Sequence, residues 1–166
     1  MSFFRDHIEP TQAFERFLSI IADCSEHGSP LEVSGEASLE RVTYERRYLS
    51  LFAVLLGLKF CRQSDWRLNG QDLFTAISAR LLLEQASRLG AGTVVEERTL
   101  SDRMTLYNLA LGSTGDPSAA NTSREIGTRF ASLLSHQASA RLEALGAATF
   151  TDAFNRVADI TTKYKL

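Results

Sequence analysis

Apolar residues recur at three- and four-residue spacing along most of the chain, and no segment keeps the strict alternation of a half-buried strand. The period is helical. After Pro10, the residues Phe14, Phe17, Leu18, Ile21 and Cys24 share one face, and Gly28 with Pro30 ends this first helix. Ser38 is placed to cap a second helix running from Leu39 to about Cys61. Its first half is amphipathic, with Leu39, Val42 and Leu49 against Glu40, Arg41, Glu45, Arg46 and Arg47, whereas its second half is apolar on every side. A helix that is apolar all round has to be covered all round. The stretch from Tyr48 to Cys61 is therefore expected at the centre of the fold, with Gly57 letting a neighbour approach closely.

Asn69 can cap a third helix that ends at Gly90, with Asp72 in the first turn where the helix dipole favours an anion. Leu73, Phe74, Ile77, Leu81, Leu82, Ala86 and Leu89 form its inner side, and Arg80, Glu84 and Arg88 form a ladder of ordinary surface charge. Gly92–Glu97 reads as a turn, because Thr93, Val94 and Val95 are too few to make a sheet. A fourth helix, opened by Thr99 with Asp102, then carries Leu100, Met104, Tyr107 and Leu111 to Gly112. The breaker-rich stretch from Gly112 to Asn121 is expected to be the longest connection. Thr122 and Glu125 have capping-box spacing for a fifth helix that stops at Gly146, and Thr149 with Asp152 opens a sixth that includes Phe150, Phe154 and Val157. The expected fold is all-α: one domain over residues 1–166, a bundle of five or six helices around a central apolar helix at about 48–61.

Composition narrows the classes without naming an activity. A chain of 166 residues with 44% apolar and 23% charged side chains can bury one core without cross-links. A net charge of -2 supplies no field that would gather phosphates, so nucleic acid is not an expected partner. Cys24 and Cys61 lie in no C-x-x-C pair and at no metal-ligand spacing from a histidine, which suits reduced thiols. Met1–Pro10 lacks the apolar run of a secretory signal, and together these features predict a cytoplasmic protein. The most apolar stretch falls short of the ~20 residues needed to span a bilayer.

The search for chemistry yields little. No H-E-x-x-H, G-x-S-x-G, P-loop or dinucleotide motif is present, and His7, His27 and His136 are far apart in sequence. Without any Glu-x-x-His pair, a di-metal carboxylate centre is not expected, and no cofactor is implied. His136 can be drawn with Ser132, Ser135, Ser139 and Glu143 as a Ser/His/carboxylate site, although the same residues make a plain small-polar helix face. The Gly112–Ser118 loop has the composition of an anion nest, yet it carries Asp116 and no cation, as a solvated linker also would.

Two clusters suit a partner surface. One is Trp66 with Arg67 in the connection after the second helix, and the other is Tyr44 to Tyr48, with Arg46 and Arg47 among them. The plainer accounts are a Trp66 covering the end of the bundle and an Arg41–Glu45 pair on a wet helix face. By elimination, the expectation is a non-enzymatic protein–protein interaction module of the small adaptor, chaperone or inhibitor type, touching its partner through Trp66, Arg67, Tyr44, Arg46 and Arg47. Two alternatives stay open: a helical enzyme built around His136, and an intracellular carrier holding a small apolar ligand between helices. A spare apolar face on the fifth or sixth helix would also allow a homo-oligomer.

Overall fold

Six helices and one short pair of strands are seen in a computed structural model that describes residues 6–26, 36–61, 69–90, 92–112, 116–117, 120–137 and 139–165. The order is β1 (Asp6–His7), α1 (Pro10–Glu26), α2 (Leu39–Phe60), α3 (Gly70–Leu89), α4 (Thr93–Leu111), α5 (Ala120–Leu134), α6 (Ala140–Lys163) and β2 (Tyr164–Lys165). β1 and β2 pair in parallel, and the Ile8 amide donates to the Lys165 carbonyl at 3.1 Å, which clips together the two ends of the described chain. At two residues each, these strands are too short to leave a mark on the hydrophobic pattern.

Local signals set the helix ends. Pro10 opens α1, where its missing amide hydrogen is not needed. Ser38 accepts from the Arg41 amide and Asn69 from the Gln71 amide, capping α2 and α3, and Gly90 closes α3 in the left-handed conformation at φ 61°. α2 touches each of the other five helices, and the buried apolar side chains form one cluster around it. From Tyr48 to Leu58 only Leu55 is less than fully buried, while Lys59 and Phe60 emerge into solvent, so the inner rod ends before Cys61. Tyr107 and Phe150 stand against Phe52, with ring centres 5.4 and 6.3 Å away. Burying aliphatic and aromatic side chains of this kind contributes about 1.5–3 kcal/mol each.

Several boundaries differ from the sequence pattern, and Thr122, expected to open α5, lies inside its first turn with its hydroxyl donating to the Asp116 carbonyl at 2.7 Å. α4 begins at Thr93, so Thr93, Val94 and Val95 form its first turn and the Thr99 hydroxyl donates to the Val95 carbonyl inside the helix. Glu96 explains the early start: its carboxylate meets two tyrosines of α2, and this tertiary anchor outweighs the weak strand propensity of the two valines. α5 stops at Leu134 rather than Gly146, and Ser139 caps α6 by accepting from the Leu142 amide at 3.1 Å. Gly146 and Thr149 therefore lie inside α6. The linkers differ too: more chain separates α1 from α2 than lies between Gly112 and Asn121.

Glycine joins α5 to α6. A Cβ placed at Gly146 would lie 2.7 Å from the Phe130 Cβ, and one at Gly127 would lie 2.2 Å from the Glu143 carbonyl oxygen. The residue read as a helix stop is thus a contact point. Gly57 behaves as expected, since a Cβ there would lie 2.7 Å from a methyl of Val157 in α6.

Candidate functional site

The charged half of α2 is inside the protein. Glu45 is 2% exposed, Arg46 6% and Arg47 5%, so Arg46 and Arg47 leave the wet face expected of them, and of the two only Arg47 lines a surface cleft. The reason lies in the neighbours: each of these side chains meets a polar group from another helix, and a buried charge persists when paired and hydrogen-bonded. Arg41 does not pair with Glu45; it donates to the Leu133 carbonyl of α5 at 2.6 Å.

Glu45 receives two hydrogen bonds from Arg103 of α4, from Nε and Nη2, both 2.6 Å long. The Glu45 contact raises the pKa of Arg103. Glu96, at the head of α4 and 2% exposed, accepts from the hydroxyls of Tyr44, at 3.0 Å, and Tyr48. Burial raises the pKa of both phenols, so they act as donors at neutral pH. Arg46 Nε donates to Thr149 of α6 at 3.1 Å, and burial lowers its pKa. Beside it the Cys24 thiol donates to Asp152 at 3.3 Å, and Arg156 bridges Asp152 and Asp23, each at 3.1 Å. Burial, with the hydrogen bond and charge of Asp152 added, pushes the Cys24 thiol up to about 12. A thiol protonated at neutral pH is no nucleophile.

Arg47 alone of this set also reaches a surface cleft. The cleft, of about 530 Å³, lies between α1, α2 and α3, and Phe14, Leu18, Ile21 and Leu81 give it apolar walls. Arg47 donates from Nη1 to Gln85 of α3 at 2.9 Å and from Nη2 to Glu26 of α1 at 2.6 Å. Glu26 is the last residue of α1, and its side chain is 47% exposed. Arg88 approaches the same Glu26 oxygen at 4.0 Å, and Arg80 and Glu84 pair with each other at 2.8 Å on the rim. The arrangement is a buried guanidinium whose counter-ion is a half-exposed carboxylate at a helix end. Such a guanidinium can take a planar carboxylate in a forked hydrogen bond.

The other predicted residues are placed as follows. Trp66, Arg67 and His27 lie outside the described residues, as does most of the Gly112–Ser118 loop. Tyr44 is half-buried, with its ring 5.1 Å from that of Tyr48. His136 is exposed in the link between α5 and α6. The nearby hydroxyls are engaged with other groups: Ser132 donates to the Arg129 carbonyl, Ser135 accepts from the Gln137 amide, and Ser139 caps α6 and donates to Glu36. Sequence reasoning missed Glu26, Gln85, Glu96 and Arg103, and it took Arg88 for plain surface. One signal was available, since Glu45 falls on the Val42, Leu49, Phe52 stripe at helical spacing.

Among the described residues, no helix is long and apolar enough to cross a membrane, and no three His, Cys, Asp or Glu side chains gather as a metal site. Comparison with models of protein families, with curated proteins and with solved structures finds no match.

Proposed function

We propose that the protein is a protein-binding module of the small adaptor, chaperone or inhibitor type. Its recognition site is the cleft between α1, α2 and α3, where an acidic side chain of the partner docks beside apolar ones. The supporting observation is the Arg47 guanidinium, buried yet lining the cleft and held by a half-exposed Glu26. Two of its five N–H groups are engaged by Gln85 and Glu26. A partner carboxylate entering between Arg47 and Arg88 exchanges with Glu26, so one charged pair replaces another and Arg47 is never left buried alone. The walls supplied by Phe14, Leu18 and Leu81 add apolar contact around that exchange.

The test uses Arg88→Glu, because Arg88 is 58% exposed and its replacement leaves the core untouched, whereas replacing Arg47 would strand Glu26 and Gln85. Wild-type and Arg88→Glu proteins of equal thermal stability are used to capture partners from a native lysate. The expected result is a stoichiometric partner that is retained by the wild type and lost by the variant. Retention of every partner by Arg88→Glu would remove the cleft from the binding surface.

A further inference from the structure

The Arg47 cleft is one end of a longer trough between α1 and α3. A second hollow, of about 590 Å³, is lined by Pro10 and Thr11 of α1 and by Asp72, Leu73 and Ala76 of α3, and Phe14 lines both this hollow and the cleft. The lining positions keep helical spacing on each wall: Thr11, Phe14, Leu18, Ala22 and Glu26 follow one side of α1, and Asp72, Ala76, Arg80, Glu84 and Arg88 follow one side of α3. The two helices therefore run parallel. Their first turns flank the second hollow, and their last turns meet where Arg88 comes within 4.0 Å of Glu26. From Thr11 to Glu26 the α1 wall rises about 22 Å, at 1.5 Å per residue. Phe14 and Leu18 are half-buried along it, and Leu73 and Leu81 are buried on the α3 side.

We infer that this trough takes an amphipathic α-helix of the partner, laid antiparallel to α1 and α3, with the acidic residue that meets Arg47 in its first turn. The inference rests on the protein-binding reading and gives the partner segment a conformation and a direction. Backbone chemistry selects the conformation. Both walls are helices whose amide and carbonyl groups are spent internally, so an extended segment would bring its backbone groups into an apolar trough without partners, whereas a helix satisfies its own. Apolar side chains at every third or fourth position of such a helix reach Phe14, Leu18 and Leu81 in turn. The walls select the direction. The last turns of α1 and α3, each the negative end of a helix dipole, lie at the Arg47 end, and an antiparallel helix brings its positive N-terminal end there. The first turn is also where a helix best carries Asp or Glu, so the carboxylate that replaces Glu26 at Arg47 comes from the position its own backbone favours. At the far end the partner's last turn, which favours cations, lies beside Asp72.

The probe is a displayed library of peptides about 16 residues long, the length that spans the trough as a helix, apolar at every third or fourth position and random elsewhere. Peptides enriched on the wild-type protein should carry Asp or Glu in the first turn and gain helical circular dichroism on binding. Moving those acids to the last turn of the same peptide should weaken binding by about two- to five-fold in fluorescence anisotropy. Arg88→Glu should weaken it by about ten-fold, and so should Ala76→Arg, which fills the second hollow well away from Arg47. Arg88 and Ala76 are both exposed, so these variants keep the fold, and thermal unfolding checks that they do. Failure to enrich helical sequences, or tighter binding by the peptide with its acids in the last turn, would overturn the inference. A lysate partner lost by Arg88→Glu but kept by Ala76→Arg would also overturn it while leaving the carboxylate site standing. Partners kept by both variants would remove the protein-binding reading itself.

Discussion

Alanine at Gly127 separates helix propensity from helix packing, because the two act in opposite directions there. In a helix interior alanine ordinarily gains about 1 kcal/mol over glycine. At Gly127 the added Cβ would lie 2.2 Å from the Glu143 carbonyl oxygen and 3.1 Å from the Ala147 nitrogen, while ordinary contact begins at 3.4 Å. Both obstacles are backbone atoms, so no side chain can swing aside and α5 or α6 has to retreat by roughly 1 Å. That movement loosens Ile126 and Phe130 on one helix and Leu142 and Phe150 on the other, all of them buried. Overpacking costs about 1–3 kcal/mol, and a backbone clash belongs at the upper end. After the propensity gain, the net loss is about 2 kcal/mol, which for a domain of this size lowers Tm by about 4–8 °C. Thermal and urea unfolding followed by circular dichroism measure it, with Gly70→Ala as the control, since nothing lies within 4 Å of a Cβ at Gly70. Gly70→Ala should be neutral or stabilising. If Gly127→Ala also raises Tm, the close approach of α5 and α6 is wrong.

Cys24 gives the protein an alkaline limit. Its thiol is raised from 9.0 to about 12, so the unfolded chain releases that proton first, and the stability contributed by Cys24 is full below pH 9 and lost as pH rises toward 12. One such group adds a slope of up to about 1.4 kcal/mol per pH unit, in the same direction as the buried phenols of Tyr48 and Tyr107. Urea midpoints between pH 8 and 11 should therefore fall less steeply in Cys24→Ala than in wild type; equal slopes would place the thiol at its ordinary pKa. In the Glu45–Arg103 pair, Arg103→Ala strands a carboxylate whose side chain is 3% exposed and should cost about 3–5 kcal/mol in urea unfolding. Adding Glu45→Leu to Arg103→Ala should recover much of that loss, whereas additive losses would show that the two side chains are not coupled.

Much of the helix framework was legible because its signals are local. The caps at Ser38 and Asn69, the closing Gly90 and the apolar run after Tyr48 each depend on a few neighbouring residues. Gly146 misled for the converse reason: a glycine at the end of an apolar run looks the same whether it stops a helix or admits another, and only the position of Phe130 decides. Thr93–Val95 failed likewise, since the residues that hold the first turn of α4 are Tyr44 and Tyr48, some fifty positions upstream. The cleft was half legible: Arg47 was singled out, but the sequence cannot show that Glu26 and Gln85 converge on it from two other helices.

The charged residues of α2 also account for how the bundle is ordered. Consecutive positions on a helix diverge by about 100°, so neighbouring side chains at 45, 46, 47 and 48 cannot all serve one neighbour. Glu45 engages Arg103 of α4, Arg46 reaches Thr149 of α6, Arg47 reaches Gln85 of α3 and Glu26 of α1, and Tyr48 returns to α4 at Glu96. Apolar contact is non-directional, and a collar made only of leucine would let these helices slide or rotate at little cost. Forked and single hydrogen bonds, broken by a small rotation, fix each neighbour about the rod. The apolar half of α2 thus supplies most of the burial, and the polar half supplies the arrangement. The cleft follows from this division of labour: where Arg47 bridges α1 and α3 through Glu26 and Gln85, polar arms take the place of interlocking apolar side chains, and the space beside them stays open.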